Sequence, residues 1–272
     1  MATTTTILET KRLTRKFGKN TAVDSLNISV EAGEVFGLLG PNGAGKSTAI
    51  KMLTTLLPAT SGTATVAGFD INRNASNARR MIGYVPQLLS ADGCLTGYEN
   101  LLIFAKLYDL PAKECKARVC ESLDFMGLSD AANRLVRNYS GGMIRRMEIA
   151  QSMLHRPRVL FLDEPTVGLD PLARKAVWKH IEELRANYGT TIFLTTHYLE
   201  EADALCNRVA LMHLGKMVAL GTPAALKISV GGNGATLDEV FAHYTEDEGV
   251  DENSKRSYQD ASRTRRIAKR LG

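Results

Sequence analysis

The sequence predicts an α/β fold, with a mainly parallel sheet core, an N-terminal β region and an inserted α-helical segment. Three observations carry this. Short apolar stretches (EVFGLLG, RVLFLDEP, TTIFLTTH) alternate with helical ones, as in a parallel sheet covered on both faces. From about Leu88 to His155 strands give way to helical sequence. The 272 residues, 44% hydrophobic and 23% charged, suffice for a sizeable buried core.

Taken in order, TILETKRLTRKFG and TAVDSLNISVEAG alternate loosely and predict two strands around a Gly-Lys-Asn turn. EVFGLLG (Glu34–Gly40) is a short apolar strand feeding GPNGAGKST, and the helix AIKMLTTLL follows until Pro58. TATVAGFD and MIGYVPQ (Met81–Gln87) are two further strands. Thr96 and Glu99 fit a capping box before ENLLIFAKLY, and Pro111 breaks that helix. A second helix ends at Met126 and Gly127, and a third follows YSGGM and closes at Pro157. Arg158–Pro165 is a buried strand ending in two acids, and Asp170-Pro171 opens a helix ended by Gly189. TTIFLTTH, the short helix YLEEADAL, and the strands RVALM and KMVAL around Leu214-Gly215 complete the pattern. Leu237, Val240 and Phe241 mark a small amphipathic helix. The expected division is 1–87 (β region and first part of the core), 88–155 (helical insertion), 156–225 (rest of the core) and 226–272 (C-terminal extension, with 246–272 disordered).

The net charge of +5 resides in the tail. Residues 255–272 carry seven basic side chains and one acid, which leaves the remainder at −1. No apolar run is long enough to span a membrane, and no basic segment with an apolar core opens the chain. Cys94, Cys115, Cys120 and Cys206 show no metal-ligand or CxxC spacing and read as reduced thiols.

The segment Gly40, Pro41, Asn42, Gly43, Ala44, Gly45, Lys46, Ser47, Thr48 satisfies G-x-x-x-x-G-K-[ST] between a strand and a helix. Its glycines let successive N–H groups turn toward phosphate oxygens, Lys46 supplies a charge to the β- and γ-phosphates, and Ser47 is a natural Mg²⁺ ligand. Asp163, at a strand tip, suits the Mg²⁺ shell, and Glu164 suits a general base for water. A plain strand-ending DEP turn would use the same residues. Gly40, Glu164 and His197 each follow a short apolar run, so they are expected at one sheet edge, with His197 near the γ-phosphate or the attacking water. Gln87, after MIGYVP, can reach Mg²⁺ or water and report nucleotide state to the helical segment. Ser140, Gly141 and Gly142 read equally as an ordinary capped helix start or as a second phosphate cradle.

Phosphate loop, Gln87, SGG, LFLDEP, GLD and His197, in this order, resemble the nucleotide-binding domain of ATP-binding-cassette (ABC) transporters over about Ile7–Pro223. The resemblance implies a P-loop NTPase, RecA-like fold and an ATPase that uses ATP and Mg²⁺. It implies a head-to-tail dimer with a second copy, in which each ATP lies between one chain's phosphate loop and the other's SGG turn. It further implies that Phe17 stacks on adenine, that Gln87 and Asp163 join Ser47 around Mg²⁺, that Glu164 is catalytic, and that Asp170 and His197 are the D-loop and switch residues. Tyr139 and Met143 stand where the common signature LSGGQ has Leu and Gln, so an amide contact to ribose is in doubt.

LTGYENL, YSGGM and ATLDEVFAHYT are similar to the daunorubicin-resistance exporter subgroup. This implies a separate ABC-2-type membrane permease, a hydrophobic or drug-like export substrate, and a peripheral position on the cytoplasmic membrane face with no nucleic-acid partner. The alternative is a soluble ABC-type ATPase acting on nucleic acid or ribosomes through the basic tail. A small phosphate-loop kinase would leave SGG unexplained.

Overall fold

The computed structural model describes residues 5–231 and 234–246. These fall into two units that meet in sequence at residues 223 and 224. The tail expected to be disordered lies outside the described residues from 247 onward, as does its basic stretch.

The first unit opens with an antiparallel sheet. Strand β1 (Thr6–Phe17) pairs with β2 (Asn20–Leu26), β3 (Ser29–Glu31) and β5 (Ser61–Val66), and β6 (Phe69–Asp70) extends it beyond β5. The stretch TATVAGFD, expected as one strand, is a hairpin. Ala67 and Gly68 both have positive φ (51° and 86°), the backbone of a tight two-residue turn, and Val66 pairs with Phe69 across it.

The second sheet has the order β11-β10-β4-β9-β8-β7. Its members are β4 (Val35–Leu39), β7 (Ile82–Val85), β8 (Val159–Asp163), β9 (Thr191–Thr196), β10 (Arg208–His213) and β11 (Lys216–Gly221). All neighbours run parallel except the edge pair β10–β11. Every residue of β4, β8 and β9 is buried, which is why these strands read as unbroken apolar runs. Phe193 stacks on Phe36 and leans on Phe161, each at 5.4 Å, across this centre. One apolar core joins the two sheets through Leu8, Leu13 and Val23 on one side, Ile50 and Leu53 of α1 (Lys46–Leu53) between, and Phe36 and Phe161 on the other.

Helix α1 starts earlier and stops earlier than expected. Lys46 and Ser47 lie in its first turn. It ends before Pro58, where the Thr54 hydroxyl donates to Ile50 O and Thr55 turns to φ 62°. A six-residue helix, α2 (Ala75–Arg80), was not expected. The helical segment is the crossover between β7 and β8, formed by α3 (Gly97–Leu107), α4 (Ala112–Phe125) and α5 (Gly141–Met153). The Thr96–Glu99 capping box is present in full, and Gly127 follows α4 at φ 62°. Helix α6 (Pro171–Tyr188) runs from an Asp170 cap to left-handed Gly189, and α7 (Leu199–Leu205) follows β9.

The second unit contains α9 (Leu237–Glu246) and all but the first residue of α8 (Pro223–Gly231). Thr236 and Glu239 exchange hydrogen bonds as a capping box for α9. Leu237, Val240 and Phe241 share one face of it at helical spacing.

Candidate functional site

The parallel strands β4, β9, β8 and β7 lie side by side, and their carboxyl ends deliver Gly40, His197, Glu164 and Gln87 to one edge. Register fixes the alignment. Leu39 pairs with Thr196, and Asp163 with Thr195.

Around this edge the phosphate loop closes on its own backbone. Lys46 Nζ donates to Gly40 O (2.8 Å) and Pro41 O (3.1 Å) and pairs with Glu164 Oε1 at 3.2 Å. Both side chains are buried, Lys46 with 4% and Glu164 with 5% of its surface exposed. Gly45 is left-handed (φ 103°), and a Cβ there would strike Ala22 O, so only glycine fits the loop where it enters α1. Asn42 and Gly43 form its exposed tip.

Beside the loop, Ser47 Oγ donates to Asp163 Oδ1 at 3.1 Å. A hydroxyl and a carboxylate so close are hard oxygen donors suited to Mg²⁺, an ion that keeps most of its shell for water and phosphate oxygens. Among the described residues no cluster of three His, Cys, Asp or Glu offers an all-protein metal cage.

Glu164 is the centre of the arrangement. Its Oε2 accepts from Gln87 Nε2 at 3.2 Å and meets His197 Nδ1 at 3.1 Å, while Oε1 faces Lys46. Its backbone is left-handed (φ 50°), unusual for a non-glycine residue, and turns the carboxylate back toward the loop. Burial alone pushes its carboxyl up, but the His197 hydrogen bond and the Lys46 charge outweigh that and hold it below the ordinary range.

Six of the expected residues therefore converge: Lys46, Ser47, Gln87, Asp163, Glu164 and His197. Gln87 meets the site through Glu164. The loop residues Gly40 and Pro41 meet them through their carbonyls, whereas Phe17, Asp170 and Ser140–Gly142 stand apart. Phe17 ends β1 with its ring half exposed and the Arg15 guanidinium 4.6 Å from its centroid. The Asp170 carboxylate accepts from Leu172 N and Ala173 N, both at 2.9 Å, and caps α6. Ser140 caps α5 by accepting from Met143 N at 3.3 Å, and Ser140 and Gly141 are exposed. Gly142 lies against α6, where an added Cβ would come within 2.8 Å of Ala173 Cβ.

The departures at Tyr139 and Met143 have physical partners. The Tyr139 hydroxyl donates to Ala131 O (2.7 Å) and occupies the space a Cβ at Gly97 would need. The Arg134 guanidinium lies 5.0 Å from the Tyr139 ring centroid and bonds Met143 Sδ at 3.1 Å. The glycine of LTGYENL and the tyrosine of YSGGM are thus one packing unit.

Sequence reasoning missed three groups. Thr195 donates to Asp163 Oδ1 (2.6 Å), and its Oγ1 accepts from Glu164 N (3.0 Å), so one hydroxyl holds the Asp163 carboxylate and the Glu164 backbone. A threonine inside an apolar strand gives no sign of this. Glu201, almost wholly enclosed, accepts from Thr166 (2.8 Å) and Trp178 Nε1 (2.9 Å) and bonds Thr196. Arg145 and Glu148 form a buried pair on α5 at 3.1 Å, although their i, i+3 spacing reads as a surface salt bridge.

The family model described as ABC transporter matches residues 23–167. The chain is 46% identical over 229 residues to the daunorubicin/doxorubicin resistance ATP-binding protein of Streptomyces peucetius, covering 84% of this chain and 69% of that one. It is 40% identical over 227 residues to the linearmycin resistance ATP-binding protein of Bacillus subtilis, covering 84% and 73%. A solved ATP binding subunit of an ABC transporter superposes with a TM-score of 0.78 at 31% identity, over 88% of this chain and 100% of that one.

Proposed function

The chain belongs to the ABC transporter family and is an ATPase of that family, and on this premise we propose that it drives export of a hydrophobic, drug-like or lipid substrate through a separate ABC-2-type membrane permease. It would work as a peripheral subunit on the cytoplasmic membrane face. The substrate class is supported by the relatives named for resistance to daunorubicin, doxorubicin and linearmycin. Among the described residues no helix is long and apolar enough to cross a membrane.

The observation that carries the site assignment is the convergence of Lys46, Gln87 and His197 on the single carboxylate of Glu164, next to the Ser47–Asp163 pair. In this reading Lys46 and the loop amides hold the β- and γ-phosphates, and Ser47 and Asp163 hold Mg²⁺, with Gln87 at the edge of that shell. Mg²⁺, when bound, neutralises phosphate charge. Glu164 takes the proton of the attacking water, and His197 orients that carboxylate. Phe17 offers its free face to adenine.

Ser140 and Gly141 are exposed and, with the buried Gly142, lie outside this cluster, which supports use of the turn by the nucleotide of a second copy in a head-to-tail dimer, with Asp170 near the shared face. Mixing two variants, Lys46→Ala and Ser140→Arg, tests this. Each homodimer carries a lesion at both sites, whereas the mixed dimer has one site with intact Lys46 and intact Ser140. ATP-driven association on mixing is the expected result. Two folded variants that stay monomeric together would sink the shared-nucleotide reading. For the transport half, a tagged chain should co-purify from detergent-solubilised membranes with a multi-span protein that stimulates its ATPase. Recovery of the chain alone would overturn it.

A further inference from the structure

Arg145 and Glu148 sit on α5, five and eight residues from Ser140, with 2% of each side chain exposed. Their hydrogen bonds leave the helix and converge on one segment, the loop that carries Gln87. Arg145 Nη1 donates to Pro86 O and Nη2 to Gln87 O, each at 2.7 Å. Glu148 Oε1 accepts from the Ser90 N–H at 2.5 Å and from its hydroxyl at 3.2 Å, and the Ala91 N–H reaches the same carboxylate. The two are paired to each other at 3.1 Å. Together they grip the loop at both ends and leave Leu88 and Leu89 exposed between.

Stability alone is a weak reason for this arrangement. A buried ion pair is often no better than apolar side chains of similar volume, because both charges must be desolvated. Here the pair is joined by backbone hydrogen bonds to a loop that has no regular structure of its own, and the guanidinium fork is suited to hold two consecutive carbonyls at once. The Gln87 amide at the other face of that loop touches Glu164 at 3.2 Å. A continuous chain of contacts therefore runs from Glu164 through Gln87 and Arg145 to the helix that Ser140 caps.

We propose that Arg145 and Glu148 are positioning residues that clamp the Gln87 loop to α5, so that a change at Glu164 in a chain's own site moves the Ser140–Gly142 turn that the same chain offers to its partner's nucleotide. The proposal rests on the shared-nucleotide reading for its consequence, but the clamp is a property of one chain and is testable there. Each chain thereby presents its turn according to the state of its own nucleotide.

The experiment uses the full chain in a Ser140→Arg background, which blocks closure with a second copy and keeps any signal within one molecule. Hydrogen exchange of residues 86–92 and of the first two turns of α5 is compared with and without ATP. With the clamp intact, ATP should alter exchange in both segments. In Arg145→Met/Glu148→Met, which replaces the charges with side chains of similar length, the response at 86–92 should persist. That at α5 should fall at least about threefold, while affinity for a fluorescent ATP analogue stays within about twofold.

An α5 response that survives in the clamp variant, or one absent with the clamp intact, overturns the proposal. Should the double variant fail to fold, Arg145→Lys carries the test, since it keeps the charge and loses the fork. It should lose the α5 response, and retaining it would count against the clamp. Failure of the mixing experiment, by contrast, removes the partner's nucleotide and leaves the exchange result standing.

Discussion

The turn that opens α1 and the turn that opens α5 share glycines and a serine, but they differ in what holds them. The first is closed by partners far away in sequence. Lys46 is bound to Glu164, Ser47 to Asp163, and Gly45 lies against Ala22. Its helix has no side-chain cap, and its charge is already met by the chain's own carboxylate. The second is set by neighbours on the helical segment and α6: Ser140 on Met143, Tyr139 over Gly97, and Gly142 against Ala173. Its serine and first glycine face outward. One turn is a pocket finished within the chain. The other is a turn whose serine and first glycine are left open to solvent.

The largest effect that would break this contrast is on chemistry at the finished pocket. Glu164→Gln keeps the shape of the side chain and removes the base, so turnover should fall by about 10²–10⁴-fold. ATP binding should persist, and the variant should accumulate as an ATP-dependent dimer by size-exclusion chromatography. Hydrolysis at the wild-type rate would mean that Glu164 is no base.

The setting of the outward turn is probed by Gly97→Ala. The new Cβ falls on the Tyr139 hydroxyl, and overpacking of this kind costs about 1–3 kcal/mol. Adding Tyr139→Leu should relieve much of that cost, so the two changes should be non-additive in a denaturant double-mutant cycle. Strict additivity would refute the view of Gly97 and Tyr139 as one unit.

The smallest effect concerns acid. The Glu164 carboxyl is held below its ordinary value of 4.5, so its ionised form favours the folded state above that value, and the contribution is lost as pH falls through the lowered one. The stability difference between wild type and Glu164→Gln should therefore shift against wild type as pH drops below 4.5. Parallel denaturation curves across that range would exclude the linkage.

Much of the finished pocket was legible because its signals are local. Glycine spacing, a lysine and a serine identify the loop, apolar runs ending in acids or histidine identify the strand tips, and parallel pairing then gathers them. Caps at Thr96, Ser140 and Asp170 were readable for the same reason. Helix ends set by a side-chain bond, as at Thr54, were not, nor was the Ala67-Gly68 hairpin inside an otherwise strand-like stretch. Thr195, Glu201, Arg145 and Glu148 were invisible, since their roles depend on which segments become neighbours. A buried Arg–Glu pair and an exposed one have the same spacing on a helix.

Trp178 is the only tryptophan in the chain. Its indole N–H rests on Glu201, which also binds Thr166, two residues past Glu164, and Thr196, the neighbour of His197. The protein therefore carries a single indole, tied through Glu201 to both loops that flank this edge. Selective indole excitation in a stopped-flow instrument reads those loops in real time, on unlabelled protein, with no background from a second emitter of its kind.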